Sequence, residues 1–372
     1  MKLLRVTASN FKNCSKNYTI DFVAKSRKTS EDKEYELQEI APGLFVFNTM
    51  AFIGKNASGK TTALELLDCV YSILERFRLS GKHYSYDGIE LQIFFYHNNK
   101  VFLYETKLNS DKSLENKAVF ESEKIYSKPY YKSKIKSLFD VNTFMSIEIT
   151  NVLPEDISNV YMVLGKTKIR AMYFDSYDDG DDTFELLFKI MNFFNLEQGL
   201  LSQILKIFDE NIQDLKQLND HDYKLVFKGK ELNLTDKQLI HRLSSGTKKG
   251  VILYLIAALS LMNGFDLVVD EIENHFHKTL VENLISLYKD KTVNRHNATL
   301  MFSTHYCEVL DLMGRQDNIW ICRAEKTVCL SNMYEDYNIR PELLKSKQYY
   351  CNAFQTSVNY EELMNLKRIL KK

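Results

Sequence analysis

Cysteine is scarce in this sequence, charge of neither sign dominates, and apolar runs are short. Its six cysteines are scattered over 372 residues without a Cys-x-x-Cys pair, so the sequence supports neither a zinc ribbon nor a thioredoxin-like motif. Cysteines this sparse fit reduced thiols in a cytoplasm. Basic and acidic side chains number 49 each, so strong nonspecific attraction to nucleic acid is not expected and only a local basic patch could supply it.

No window approaches eighteen apolar residues, and the opening MKLLRVTASNFKN lacks the apolar core of a signal peptide. We therefore expect no membrane-spanning segment and a cytoplasmic protein. With 45% apolar and 26% charged residues, the composition is that of a soluble globular protein. The length allows one elaborate domain or a domain with an insertion.

The first part of the chain is predicted to be rich in strands. Short β-prone runs at residues 3–9 and 18–23 predict two strands. Residues 25–39 are mostly polar and predict a surface loop. Residues 89–96 and 101–108 flank a short polar segment and predict a β-hairpin.

Residues 126–235 have weaker patterning, with helical periodicity clearest from residue 184 to residue 218. We predict that they form an inserted, mainly helical lobe. Residues 1–125 and 236–372 would then make up one discontinuous domain.

Strands and helices alternate again from residue 243 onward. The predicted helices are residues 250–262 and 277–289, and the predicted strands are residues 265–269, 298–303, 318–322 and 327–330. Such alternation predicts a mainly parallel sheet covered on both faces, which is an α/β fold.

The strongest motif lies between an apolar strand predicted at residues 44–53 and a helix predicted at residues 61–78. It matches the P-loop pattern G-x-x-x-x-G-K-[ST] in full and consists of Gly54, Lys55, Asn56, Ala57, Ser58, Gly59, Lys60 and Thr61, followed by Thr62. Its glycines let backbone N–H groups approach phosphate oxygens, and the helix N-terminus adds positive partial charge. We expect Lys60 to reach the β- and γ-phosphates of ATP and the Thr61 hydroxyl to bind Mg²⁺.

Asp270 and Glu271 directly follow the buried strand predicted at residues 265–269. Ligands of open α/β sheets bind at the carboxyl edge of the strands. Asp270 is therefore a candidate Mg²⁺ partner through water, and Glu271 a candidate general base that polarises the attacking water. By itself the pair could equally be an acidic turn after a strand, and the P-loop favours the functional interpretation.

Three further features bear on the subtype of P-loop protein. Ser244 and Gly246 precede an apolar helix, where hydroxyl and N–H donors suit an anion, although a helix N-cap is the plainer interpretation. His305 follows a predicted strand and is a candidate γ-phosphate contact, although a lone histidine is more often structural. His275 and His277 have the spacing of a metal pair, but no cysteine or third ligand accompanies them.

The order of these motifs resembles an ABC-type ATPase of the RecF, chromosome-structure and overcoming-lysogenization-defect branch. The chain is similar in detail to bacterial stand-alone "AAA family" ATPases, including abortive-infection and RloA-like proteins. The matching pieces are residues 10–12, 54–62, 243–248, 268–277, 302–305, 317–321 and 337–346. This resemblance implies a P-loop NTPase core of ABC-ATPase type with an N-terminal antiparallel β subdomain and an inserted, largely helical lobe.

The resemblance also implies roles and partners. Ser244 and Gly246 correspond to the signature that closes on a second subunit's ATP, His305 to the switch histidine, and Glu271 to the hydrolytic glutamate. A homodimer or higher homo-oligomer would then hold ATP between opposing P-loops and signatures. The implied setting is bacterial anti-phage defence, with a nucleotide-gated sensor or scaffold that controls a separate effector such as a nuclease.

An alternative function is that of a DNA-repair or recombination ATPase that binds nucleic acid directly. The segment 124–136 combines lysines and tyrosines, namely Lys124, Tyr126, Lys128, Tyr130, Tyr131, Lys132, Lys134 and Lys136. Phosphate attraction and base stacking would support such binding. A solvated basic loop is the plainer interpretation, given the zero net charge. A non-hydrolysing structural protein is disfavoured because Lys60, Asp270 and Glu271 are all present.

Overall fold

Alternating burial along the first strand shows why the chain opens with a sheet. In the computed structural model, Leu4, Val6 and Ala8 are buried and the residues between them are half-buried. The structure describes residues 1–111, 117–149, 153–165, 168–175, 183–274, 277–340, 343–355 and 360–371.

The described residues form the following strands and helices. The strands are β1 (Lys2–Ser9), β2 (Tyr18–Asp21), β3 (Leu37–Ala41), β4 (Leu44–Phe47), β5 (Thr49–Ile53), β6 (Ile89–His97), β7 (Lys100–Ser110), β8 (Ala118–Pro129), β9 (Met145–Ser146), β10 (Ala171–Phe174), β11 (Ile212–Gln217), β12 (Asp222–Phe227), β13 (Lys230–Thr235), β14 (Asp266–Val269), β15 (Leu300–Thr304), β16 (Ile319–Ala324) and β17 (Val328–Asn332). The α-helices are α1 (Lys60–Arg76), α2 (Tyr161–Leu164), α3 (Thr183–Phe193), α4 (Gln198–Phe208), α5 (Asp236–Arg242), α6 (Ser245–Asn263), α7 (Lys278–Lys289), α8 (Met333–Asp336), α9 (Lys345–Tyr350) and α10 (Tyr360–Ile369). Short 3-10 helices lie at Lys132–Ser137, Val141–Thr143 and Cys307–Leu312, and a π-helical turn lies at Asp32–Glu36.

The chain forms two compact units. The first consists of Met1–Arg170 with Met301–Lys372, and the second of Ala171–Leu300. These bounds differ from the lobe predicted at residues 126–235. The division into two compact units does not test whether residues 126–235 are an insertion. The inserted lobe therefore stays a prediction.

In the first unit, a mostly N-terminal antiparallel sheet has the strand order β2-β1-β6-β7-β8-β9. The predicted hairpin is confirmed as β6 and β7, joined by Asn98 and Asn99. Their φ angles of 47° and 58° are those of a two-residue hairpin turn, which asparagine tolerates better than most residues. The two strands predicted at residues 3–9 and 18–23 are confirmed as β1 and β2.

Two predictions about residues 25–53 are wrong. Residues 25–39 are not only a surface loop, because they contain the turn Asp32–Glu36 and the start of β3. The single strand predicted at residues 44–53 is two strands, since β4 pairs with β3 and β5 enters a different sheet. Asn48 separates them: its amide N–H donates to Glu36 O at 2.9 Å and its side-chain Nδ2 to Tyr35 O at 2.8 Å.

The hairpin of β3 and β4 covers part of the antiparallel sheet and encloses an apolar core. That core is a cluster of Leu4, Val23, Ala41, Leu44, Val46, Phe94, Val101, Leu103 and Leu138. Strands β15, β5, β16 and β17 are neighbours in a separate sheet, in that order. Within it β16 runs parallel to β5 and antiparallel to β17. The first unit thus combines parallel and antiparallel pairing.

In the second unit, β10 and β14 pair in parallel, and Leu267 of β14 donates its N–H to Thr299 O at 2.8 Å. Helix α4 packs on α6, where the Phe208 ring lies against Gly250. Strands β11, β12 and β13 form a small antiparallel sheet, and Phe188 of α3 packs on Tyr223 of β12. The mainly helical content predicted for residues 126–235 is therefore wrong where these three strands form.

Helix α6 is long and apolar enough to cross a membrane by length and composition, with a mean hydropathy of 1.2. However, 67% of that segment is buried inside the protein, as in the core helix of a soluble domain. Gly264 ends the helix in the left-handed conformation, with φ of 76°.

Candidate nucleotide-binding site

The P-loop connects the end of β5 to the start of α1, as its sequence predicts. Ala57 and Gly59 have φ angles of 59° and 95°, so the chain turns twice through the left-handed region. Residues 55–57 are exposed, whereas Gly54 and Ser58 are buried. The loop therefore presents its middle to solvent and anchors its flanks in the unit.

Both glycines of the motif are required by close contacts. A Cβ atom at position 54 would lie 2.3 Å from Ser58 Oγ and 2.5 Å from the carbonyl oxygen of Cys322 in β16. A Cβ atom at position 59 would lie 2.2 Å from Val328 Cγ1 in β17. Positive φ at Gly59 disfavours other residues as well.

Lys60 is 5% exposed at the first position of α1. Its Nζ donates to the carbonyl oxygens of Gly54 and Lys55, at 3.2 and 3.3 Å, and lies 3.4 Å from His305 Nδ1. Because an ammonium group can only donate, Nδ1 accepts in this pair. The structure thus brings together two residues that the sequence proposed separately, the P-loop lysine and the histidine after β15.

The loop has the features of a phosphate-binding turn. Ser58 Oγ is buried and has no hydrogen-bond partner within the described residues, so it can donate to an anion. Thr61 is exposed in the first turn of α1, next to the backbone N–H groups of the helix N-terminus. Thr62, one residue on, is half-buried. Because glycine has no Cβ atom, positions 54 and 59 would let the loop backbone approach a phosphate group closely.

Asp270 and Glu271 lie in the second unit, directly after β14. Asp270 is 1% exposed, and its N–H donates to Phe174 O at 3.0 Å, which continues the pairing of β10 and β14. Glu271 is half-buried with φ of 50°, a strained conformation for a residue with a side chain. Asn274 stabilises this turn, because its N–H donates to Glu271 O at 2.8 Å.

Ser244 is the N-cap of α6, which confirms the plainer interpretation of this residue. Its Oγ accepts a hydrogen bond from Thr247 N at 3.0 Å and contacts Thr247 Oγ1 at 2.8 Å. Ser244 is exposed, and Gly246 is half-buried in the first turn. A second role in binding an anion is compatible with this exposure and stays a prediction.

The histidine pair gives no support to a metal centre. His277 caps α7, where its Nδ1 accepts from Thr279 N at 3.3 Å, and His275 lies outside the described residues. In the part of the chain that the structure describes, no group of three His, Cys, Asp or Glu side chains has the arrangement of a metal site.

Sequence reasoning missed the residues that support the P-loop from behind. Val328 and the Cys322 carbonyl contact its two glycines, as noted above, yet they lie more than 260 residues along the chain. No local motif marks either residue, because each contact arises from strand order. Only the predicted strands at residues 318–322 and 327–330 pointed to this region.

A protein-family model described as "AAA domain, putative AbiEii toxin, Type IV TA system" matches residues 50–311. The chain belongs to this family. The match covers the P-loop, α6 and the carboxylate pair, and it makes the protein a member of the AAA-type P-loop ATPases with a mixed α/β fold. No curated protein matches the chain.

Proposed function

We propose that this AAA-family protein binds ATP together with Mg²⁺ and hydrolyses it. The main support for this proposal is the conformation of the P-loop. Gly59 is in the left-handed region, and the buried Lys60 contacts loop carbonyls and His305. A lysine in this position exchanges neutral acceptors for phosphate oxygens when a nucleotide binds. Family membership supports the same function.

Each candidate residue has a role in this proposal. Lys60 would bind the β- and γ-phosphates and the Thr61 hydroxyl would bind Mg²⁺. Asp270 would contact the ion through water. Bound Mg²⁺ would neutralise developing charge on the phosphates. Glu271 accepts a proton from the attacking water, and His305 contacts the γ-phosphate.

We further propose that Ser244 and Gly246 act on the ATP of a second copy, which makes the active form a homodimer or higher homo-oligomer. The family description names a toxin–antitoxin system, and such a system consists of two partner components. This supports a nucleotide-gated sensor or scaffold that controls a separate effector in anti-phage defence. None of the six cysteines, all of which lie within the described residues, forms a disulfide, and this suits a cytoplasmic setting.

Binding and hydrolysis are separable by two substitutions. Lys60→Ala should abolish ATP binding, whereas Glu271→Gln should bind ATP normally and hydrolyse it about 10² to 10⁴ times more slowly. Lys237→Ala removes an exposed lysine of α5 and serves as the control for lost charge. Calorimetric titration and phosphate release would measure the two steps, and wild-type turnover in Glu271→Gln would contradict the assigned base.

The assembly can be tested with the same variant. Glu271→Gln with ATP should accumulate a dimer or larger species in mass photometry, while the Ser244→Ala/Glu271→Gln protein should stay smaller. Co-purification with products of neighbouring genes would identify an effector. An assembly size that ATP does not change would refute nucleotide-gated dimerisation.

A second candidate function, nucleic-acid binding, is favoured by one surface. Lys132, Lys134 and Lys136 are exposed and form no ion pair with a described carboxylate, and Tyr131 is 55% exposed beneath the Lys134 ammonium at 5.7 Å. These four residues define the basic surface. They present both phosphate-binding charge and a stacking ring to solvent.

Other members of the segment 124–136 have structural roles. Lys128 Nζ donates to Ser137 O at 2.6 Å and to Thr143 Oγ1 at 2.8 Å, and it lies 4.1 Å from the centre of the Phe144 ring. Burial lowers the pKa of Lys128. Tyr130 packs on the apolar core and donates to Pro42 O at 2.9 Å.

The basic surface is tested by replacing its three lysines with alanine together. Salt-dependent binding of single-stranded DNA that is lost in this variant and kept in Lys237→Ala would support the second function. Absence of wild-type binding at low salt would rule it out.

A further inference from the structure

Val328, the first residue of β17, fills the space behind the P-loop. Its Cγ1 and Cγ2 lie 2.2 and 3.1 Å from where a Cβ at Gly59 would be, so the isopropyl group touches the glycine directly. Val328 is 8% exposed. Gly59 is the N-cap of α1 and immediately precedes Lys60. The valine thus packs against the turn from which the helix and its lysine begin.

The backbone of Val328 is held on both sides. Its N–H donates to Asn13 O at 2.7 Å, and its carbonyl accepts from Ser15 N at 2.8 Å, which forms a parallel bridge with Cys14. On the other side, Val328 pairs with Ala324 of β16. A β-branched side chain on a clamped backbone has little freedom to retreat from its neighbour.

The loop that clamps Val328 is also tied to α1. Lys12 forms an ion pair with Glu65 of α1, and its ammonium lies 5.3 Å from the centre of the Tyr84 ring. Residues 12–15 therefore connect the back of the P-loop, through Val328, with the helix that leaves it. The contact between Val328 and Gly59 is therefore one of a connected set of contacts.

We propose that Val328 is a positioning residue for nucleotide binding, an inference that rests on the proposed ATP-binding function. A glycine with φ of 95° samples many conformations unless a neighbour restricts it. The isopropyl group excludes paths of the chain in which Gly59 moves back towards β17. It keeps the N–H groups at the start of α1 directed at the phosphate position before the nucleotide arrives, and such preorganisation lowers the entropic cost of binding.

Three variants test this role. Val328→Ala removes both methyl groups and should weaken ATP binding about tenfold, which corresponds to about 1.4 kcal/mol. Val328→Thr keeps the branched shape and should bind ATP within about twofold of wild type, although its buried hydroxyl lowers stability. Val101→Ala makes the same truncation in the apolar core around β7, a cluster without P-loop residues, and should leave ATP affinity unchanged.

Hydrogen exchange of the nucleotide-free protein supplies a readout that needs no ATP. Val328→Ala should speed exchange in residues 54–62 about tenfold relative to wild type, and Val101→Ala should not. Equal exchange in Val328→Ala and wild type would overturn the positioning role, whatever the ATP titrations give. If exchange changes as expected but wild type binds no ATP, the positioning of the loop stands and the proposed ATPase function fails.

Discussion

Replacing Asp317 by alanine should destabilise the first unit by about 3 kcal/mol, because it removes one partner of a buried ion pair. Arg315 and Asp317 each expose 1% of their side chains. The guanidinium binds the carboxylate through two bonds, from Nε to Oδ1 at 2.8 Å and from Nη2 to Oδ2 at 2.6 Å. The pair directly precedes β16, the parallel neighbour of the P-loop strand β5.

The size of the effect follows from what the substitution leaves behind. Asp317 Oδ2 also accepts from the backbone N–H groups of Lys25 and Ser26, both at 2.9 Å, and these lose their acceptor. Arg315 keeps a second carboxylate, Asp32, at 2.9 Å. The loss should therefore lie near the lower end of the range of about 3 to 5 kcal/mol for broken buried pairs.

Two variants sharpen the measurement. Asp317→Asn keeps the shape but must turn its NH₂ group towards one set of donors, so it should still cost about 2 kcal/mol. Glu325→Ala removes an exposed carboxylate from the same unit and should change the stability by less than about 0.5 kcal/mol.

The single tryptophan makes the assay specific to this region. Trp320 is buried in β16, three residues after Asp317, so its fluorescence during urea unfolding reports the first unit. A midpoint for Asp317→Ala within the error of the Glu325→Ala midpoint would refute the stabilising role of the pair.

Three further outcomes are expected. Gly250→Ala should lower the melting temperature, because its Cβ would lie 2.0 Å from the Phe208 ring. The expected loss in the free energy of unfolding is about 1 to 3 kcal/mol. Gly199→Ala is the control: open space surrounds this position in α4, so the change should be neutral or stabilising. For Asp32, burial raises the pKa, but hydrogen bonds from Thr29 and the nearby guanidinium outweigh it and lower the pKa below 3.8. Its stabilising contribution should thus be full above pH 4 and fall as the pH drops through the folded-state pKa, and Asp32→Asn should flatten urea midpoints measured from pH 2 to 5. His305→Ala should slow phosphate release about tenfold or more while ATP affinity changes less, and an unchanged rate would remove this residue from the mechanism.

The elements around the P-loop could be predicted because local signals agree there. An apolar strand, a glycine turn and helical periodicity follow one another without interruption, and the two asparagines of the β6–β7 turn suit the positive φ that the hairpin requires. The break at Asn48 could not be predicted in the same way. Apolar residues continue on both sides of it, and only pairing with different sheets separates β4 from β5.

The small sheet of β11, β12 and β13 was not predicted, for a different reason. Lys228 and Gly229 connect β12 to β13 with φ angles of 50° and 73°, so a two-residue turn signal was present in the sequence. The helical periodicity of residues 184–218 does not extend to β12 and β13. A mainly helical lobe over residues 126–235 is therefore wrong here, because the helical period does not hold across the whole segment.

The contacts of the P-loop show why the motif alone does not make a site. The family match ends at residue 311, before β16 and β17, and begins at residue 50, after the loop of residues 12–15. Yet the Cys322 carbonyl lies against Gly54 and Val328 lies against Gly59. Lys12 forms an ion pair with Glu65 of α1, so support comes from both outer segments. Phosphate-binding residues need fixed backbone directions to bind with low entropic cost. In the proposed ATPase, the matched segment would supply the chemical groups and the two flanks the rigidity that lets these groups act together.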